Sequence, residues 1–236
     1  MIDLTGQDIL VIGGSSGIGR ATAVMADALG GRVTIASRSH DKVEAAAKSN
    51  PGLLGRTVDV MSDDSVAALF AQTTAWDHVI VTGSEVRMAA VRELSIEAAR
   101  AAVDSKFWGF YRVARYADIK PGGSLSVVAG FLATRPAATR ALMGAINGAL
   151  ESLVQGLALE LKPVRVNAVS PAVVQTEMWN GLEADARQAM FDKLATHYPA
   201  GVVGRPEDIA RQLLLLAATP YATGTVVTLD GGASIA

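Results

Sequence analysis

One junction constrains the fold more than any other. The run "DILVI" (Asp8 to Ile12) passes through "GGSSGIG" into the helix-period segment "RATAVMADAL". A buried strand turns this directly into a helix only where several Cβ atoms are missing, and the glycines at 13, 17 and 19 supply that freedom. The same missing atoms let a pyrophosphate approach backbone amides, while the helix start presents unpaired N–H groups and the positive end of its dipole. Gly13, Ser15, Ser16, Gly17, Ile18 and Gly19 are therefore the candidate phosphate cradle, with the serines adding hydroxyl donors. A glycine string alone also makes ordinary loops, so the strand–turn–helix setting is what gives this one meaning.

The alternation continues along the chain. "RVTIAS" precedes the helical "HDKVEAAAK"; "GRTVDV" precedes "SDDSVAALFAQT", where Ser62 or Asp63 can cap; "DHVIVTG" precedes the long "SIEAARAAVDSKFWGFYRVARYA". "GSLSVVAG", a helix from about Arg140, "VRVNAVSP", "EDIARQLLLLAA" and "GTVVTLDGG" complete the series. Strands separated by helices of this length predict an α/β fold: a doubly wound parallel sheet (a Rossmann fold) flanked by helices on both faces. No linker, composition break or internal period divides residues 1–236, so a single domain is expected, with an irregular stretch at about 175–205.

Composition narrows the partners. Half of the 236 residues are hydrophobic and 19% are charged, which predicts extra surface buried between subunits. With 21 basic against 23 acidic residues and no basic runs, nucleic acid and anionic membranes are not expected partners. No uninterrupted apolar run reaches membrane-spanning length. The absence of cysteine excludes disulfides, thiolate metal sites and cysteine nucleophiles, and fits a reducing compartment. "MIDLTGQDILVIGG" lacks the basic and long apolar regions of a signal peptide, so a cytoplasmic location is expected. His40, His78 and His197 are scattered without metal-site spacing, and no metal is expected.

The second strand ends in "IASRSHD". Dinucleotide folds read the adenosine ribose at this point, with a carboxylate for a free 2′-hydroxyl and an arginine for a 2′-phosphate. Ser37 and Arg38 stand here and the first acid is Asp41, which favours NADP(H) over NAD(H). Asp59, at the end of the third strand, is placed to accept a hydrogen bond from an adenine amino group, although a capping or solvated acid has the same local pattern.

With these residues the chain resembles the short-chain dehydrogenase/reductase family over essentially its full length. The glycine loop is similar to that family's T-G-x-x-x-G-I-G, with Ile12 replacing the threonine, and Asp59-Val60 is similar to its adenine-contacting pair. "ALESLVQGLALELKPVRVNAVSPAVVQTEM" resembles the helix, strand and loop that follow the catalytic centre. There Pro171, Val174 and Thr176 stand where the family holds the nicotinamide carboxamide, though Ala172 replaces the usual glycine. The fourth strand's usual N-N-A-G becomes "VTGS", Val81 to Ser84, and Gly83 is a candidate cofactor contact there. "GRPEDIARQLLLLAA" and "VVTLDGG" resemble the C-terminal helix and strand that pair subunits. The resemblance implies a small-molecule substrate, a substrate loop within the 175–205 stretch, and a tetramer or a dimer built on the Ala149 to Leu161 helix.

The same resemblance exposes a departure. In the family a tyrosine moves the proton, a lysine four residues later lowers its pKa, a serine polarises the carbonyl, and an asparagine on the central helix supports a water relay. Registering on "NGALESL" puts Met143 at the tyrosine, Asn147 at the lysine, Gly130 at the serine and Lys106 at the asparagine. A thioether has no proton to give and an amide does not titrate. Lys106 and Asn147 become the candidate catalytic residues, Lys106 for handling the proton against the ordinary reading of a lysine on a helix surface, while Asn147 also retains the ability to bind a ribose hydroxyl. Tyr116 and Lys120 repeat the tyrosine–lysine spacing but sit before the fifth strand, away from any nicotinamide. Tyr198 lies in the substrate-loop stretch, and Arg135 and Arg140 flank the pocket where they could bind an anionic group or form a salt bridge. Two readings follow: an NADP(H)-dependent oxidoreductase with an atypical proton donor, or a non-catalytic NADP(H)-binding sensor or partner subunit.

Overall fold

The computed structural model describes residues 2–84 and 88–236. Seven strands, β1 (Asp8–Ile12), β2 (Arg32–Ser37), β3 (Leu53–Thr57), β4 (Trp76–Val81), β5 (Ile119–Val128), β6 (Arg165–Pro171) and β7 (Val226–Leu229), form one sheet in the order β3-β2-β1-β4-β5-β6-β7. Every pairing is parallel. The doubly wound α/β arrangement expected from the alternation is therefore present, and strand order reverses between β1 and β4.

Alternation along each strand decides which layer a residue feeds. Leu10, Ile12, Val79, Val81, Leu125 and Val127 join one core. It is covered by α3 (Asp63–Ala71), α4 (Ile96–Val103), α5 (Gly109–Tyr116) and α6 (Ala141–Glu160). Ile9, Val11, Val33, Ile35 and Ile80 point the other way, beneath α1 (Gly17–Ala28), α2 (His40–Ser49) and α8 (Pro206–Ala218). Because both faces are covered, the strands read as continuous apolar runs. Leu150, wholly buried at the middle of α6, is of the kind whose truncation to alanine costs about 2–5 kcal/mol. The remaining helix, α7 (Ala184–His197), lies in the 175–205 stretch and buries Phe191.

Helix starts follow local chemistry. Ser39, Ser62 and Ser95 each accept a backbone N–H three residues on, at 3.4, 3.2 and 3.2 Å. Of the two caps open to α3, Ser62 is the one used. The central helix is not continuous as its sequence suggests: α4 and α5 are joined by a π-helical turn, Asp104–Trp108. By length and composition alone the twenty residues of α6 are long and apolar enough to cross a membrane, although Asn147, Glu151 and Gln155 interrupt the apolar run. Ile146, Leu150, Val154 and Leu157 are the face it buries.

At the amino edge of the sheet a polar lattice closes the fold. Asp8 pairs with Arg32 at 2.7 Å, and Lys120 pairs with Asp77 at 2.7 Å and Asp8 at 3.2 Å. Buried His78 sits between Ser124 and Gln7. This occupies Lys120 at the edge opposite the glycine loop, so the Tyr116–Lys120 spacing is a coincidence of sequence.

Candidate active site

At the carboxyl edge, beside the β1–β4 reversal, Gly13 turns the chain with φ +88°. A Cβ on Gly13 would collide with the Gly83 amide and lie 2.6 Å from Gly83 Cα. One on Gly19 would collide with the Gly13 carbonyl. The turn, the start of α1 and the end of β4 therefore touch backbone to backbone, which makes Gly83 part of the glycine loop's own packing. Ser37 Oγ donates to Ser15 Oγ at 3.0 Å and ties the end of β2 to the turn. A cleft beside them is lined by Ser15, Ser16, Ser37, Arg38, Asp59, Val60 and Gly83. Ile18 packs its side chain into the core beneath.

Two features of this cleft differ from the sequence expectation. Lys42, on the first turn of α2, lines it with Arg38, a second cation overlooked because it reads as an ordinary helix lysine. β3 ends at Thr57, so Asp59 sits in the turn beyond the strand, where its Oδ1 accepts the Met61 amide at 3.0 Å.

On the other side of the edge, Pro171 closes β6 and is buried. Val174 is 7% exposed, bridges to Gly204 and packs into the core, so its side chain does not face the cleft. Of the three residues expected here, Thr176 alone meets the glycine loop, its methyl 3.3 Å from where a Gly17 Cβ would stand. Glu177, next to it, accepts the Gly17 amide at 2.9 Å.

The second cluster is built on side chains. The π-helical turn carries Lys106, whose Nζ donates to the Ala129 carbonyl at 3.0 Å and to Asn147 Oδ1 at 2.6 Å. Met143 Sδ lies 3.8 Å from the same nitrogen. π-Turns widen one turn of helix and are frequent at functional sites. Burial lowers the Lys106 pKa to about 8, against the opposing pull of the Glu151 charge. Glu151, one turn beyond Asn147 on α6, accepts Ser170 Oγ at 2.9 Å. Gly130 completes the cluster, since a Cβ there would lie 2.7 Å from Asn147 Nδ2. Asn147 is 2% exposed and its carbonyl is taken by Lys106, which corrects the expectation that it faces a ribose.

Residues 12–234 match the family model described as enoyl-(acyl carrier protein) reductase. A curated short-chain dehydrogenase/reductase, ATR9 of Stachybotrys chlorohalonatus, is 33% identical over 99% of both chains. The chain belongs to the short-chain dehydrogenase/reductase family. Among solved structures, a small-chain dehydrogenase in complex with NADPH is 34% identical, with a TM-score of 0.84 over 98% of this chain and all of that one. The NADPH-bound short-chain oxidoreductase of Pseudomonas aeruginosa PAO1, described as containing an atypical catalytic centre, is 26% identical, with a TM-score of 0.91 over the whole of both chains.

Within this family member the remaining candidates separate. Arg140 is half-buried at the start of α6 and Arg135 is exposed in the loop before it. Tyr198 is 8% exposed among Phe191, Val203 and Ala233, where burial raises its pKa, so it anchors the 175–205 stretch. His197 is exposed and bonds to the Lys193 carbonyl. Among the described residues no group of three His, Asp or Glu side chains is placed to hold a metal. Sequence reasoning also missed Ala129, Glu151 and Glu177. A carbonyl acceptor and a carboxylate meeting an amide 160 positions away leave no periodic signal.

Proposed function

We propose that this protein is an NADP(H)-dependent oxidoreductase acting on a small molecule, in which Lys106 handles the proton that a tyrosine handles elsewhere in the family. The observation that carries this reading is the Lys106 ammonium at the carboxyl edge, held by Ala129 and Asn147 with its pKa brought to about 8. All four positions of the usual pattern differ, but the differences fit one another. The missing side chain at Gly130 leaves the room that Asn147 Nδ2 needs, and the cation absent from α6 stands on the central helix, bonded to that amide. A site decaying without use has no reason to keep such complementarity, which favours the enzyme over the non-catalytic sensor.

The residues fit the cofactor. The cradle of Gly13 and Gly19 has no space for a Cβ, and the cleft carries Arg38 and Lys42 where a 2′-phosphate needs cations. Bound there, the nicotinamide supplies or accepts the hydride. In the reductive direction, Lys106 stabilises negative charge developing on the substrate and, with a pKa near neutrality, can release its proton from Nζ. Asn147 orients the ammonium, and Met143 fills the adjoining space. An enone or an activated imine asks least of an enzymic acid and suits this arrangement.

The test is a fluorescence titration with NADPH and NADH. Tight NADPH binding that Arg38→Ala weakens supports the cofactor assignment and justifies screening enones, imines and carbonyls with Lys106→Ala as control. Binding of neither nucleotide sinks the oxidoreductase reading; binding without turnover of any substrate class favours the sensor. A homo-oligomer belongs to the same proposal, supported by Trp108, Tyr111 and Leu159, which leave apolar surface exposed along the central helix and α6. Light scattering that gives a monomer at assay concentration would remove it.

A further inference from the structure

The first amide of α1 already meets an anion supplied by the chain itself. Glu177 Oε2 accepts the Gly17 N–H at 2.9 Å, and Thr176 rests against Gly17 beside it. α1 itself brings no negative charge to its start, since Ser16 makes no side-chain cap and the first turn contains no acid. We propose that Glu177 is an internal competitor for the dinucleotide pyrophosphate, which must displace it from the glycine loop and so free the Glu177–Trp179 turn from Gly17. This rests on the cofactor reading above.

The geometry gives the competition its direction. A carboxylate and a pyrophosphate both seek the amides and dipole at the start of α1, and as like charges they repel at close range. The base of the segment is fixed elsewhere: Gln175 N–H donates to the Gly204 carbonyl at 2.9 Å and Val174 bridges to Gly204. Beyond it, Glu177–Trp179 forms a short 3-10 turn with its own internal bonds, Trp179 to Thr176 and Asn180 to Glu177. The turn can thus let go of Gly17 without dismantling the sheet. Glu177 is exposed, so its hold is weak enough for a cofactor to break, and α7 follows directly.

NADPH and inorganic pyrophosphate are titrated into the wild type, Glu177→Ala, Glu177→Gln and, as a control for net charge, the distant exposed Glu160→Gln. Removing the competing charge should tighten both ligands on the order of threefold to tenfold in the two Glu177 variants. Glu160→Gln should match the wild type. Exchange of the Gly17 amide should be faster in nucleotide-free Glu177→Ala than in the nucleotide-free wild type, because the acceptor of that N–H is gone. Unchanged or weaker pyrophosphate binding in both Glu177 variants, with intact thermal melts, overturns the proposal even if NADPH binds. Failure of NADPH to bind any variant, with pyrophosphate still tighter in Glu177→Ala, overturns the cofactor reading and leaves the competitor standing.

Discussion

Around the glycine loop the contacts are backbone on backbone. Gly13 meets Gly83, Gly19 meets the Gly13 carbonyl, and any added Cβ collides. Around Lys106 they are side chain on side chain: an ammonium, an amide, a thioether and the room left by Gly130. The two clusters lie along the same edge of one sheet, yet they tolerate change differently. A backbone cradle packed this tightly accepts only glycine at these positions. A side-chain cluster can exchange its members as long as volume, charge and hydrogen bonds still close, and here the cation stands on the central helix and the amide on α6.

The strongest way to break this comparison is to remove the cation. Lys106→Met should lower turnover by about 10²- to 10⁴-fold, the usual worth of a positioned proton donor, while NADPH affinity stays within about threefold. Steady-state kinetics and a fluorescence titration on the same preparation read the two quantities. Parallel loss of both would mean that the clusters are one unit, and that Lys106 serves the cofactor.

The converse change comes next in size. Gly19→Ala forces a methyl against the Gly13 carbonyl and Thr82 Oγ1, so it should cost about 1–3 kcal/mol of stability by overpacking. NADPH binding should fall with it, because relief requires the cradle to move. Urea unfolding and nucleotide titration check this; a variant of full stability and affinity would show that the loop is softer than its packing implies.

How much of this was legible in sequence follows the same division. The glycine spacing, the alternation of strands and helices and the Arg38 position predict the fold and the nucleotide edge, because backbone geometry leaves periodic and positional marks. Lys106 and Asn147 were named, but only a register borrowed from the family put them near each other. The π-helical turn that aims Lys106 has no pattern in "DSKFWGF", because π-turns arise from tertiary packing. Asn147 was expected to face a ribose, since sequence cannot show that a neighbouring ammonium has taken its carbonyl. Val174 sends its apolar side chain to the core, so only its backbone can serve the loop position that the resemblance assigns it. Lys42 and Glu177 were missed because one lysine and one glutamate among many acquire meaning only from what they touch.

A smaller effect reads the charge of the centre directly. Activity in the reductive direction should hold at neutral pH and fall above about pH 8, as Lys106 loses its proton. Asn147→Asp places a carboxylate against the ammonium, which favours the charged form, raises the Lys106 pKa and moves the alkaline limb up by about one unit. An alkaline limb unmoved by Asn147→Asp would assign it to another group.

The smallest expected effect decides which members of the cluster matter. Met143 has its sulfur 3.8 Å from Lys106 Nζ, a distance at which a thioether is a weak acceptor. If it only fills space, Met143→Leu keeps the volume and should cost less than about 1.5 kcal/mol of stability, with the alkaline limb still near pH 8 and turnover little changed. The centre would then consist of Lys106, Asn147 and the Ala129 carbonyl, with residue 143 as a spacer that excludes water. A limb displaced downward would instead mean that the polarisable sulfur helps keep the ammonium charged. The thioether would then be a working part of the centre, alongside Asn147 and the Ala129 carbonyl.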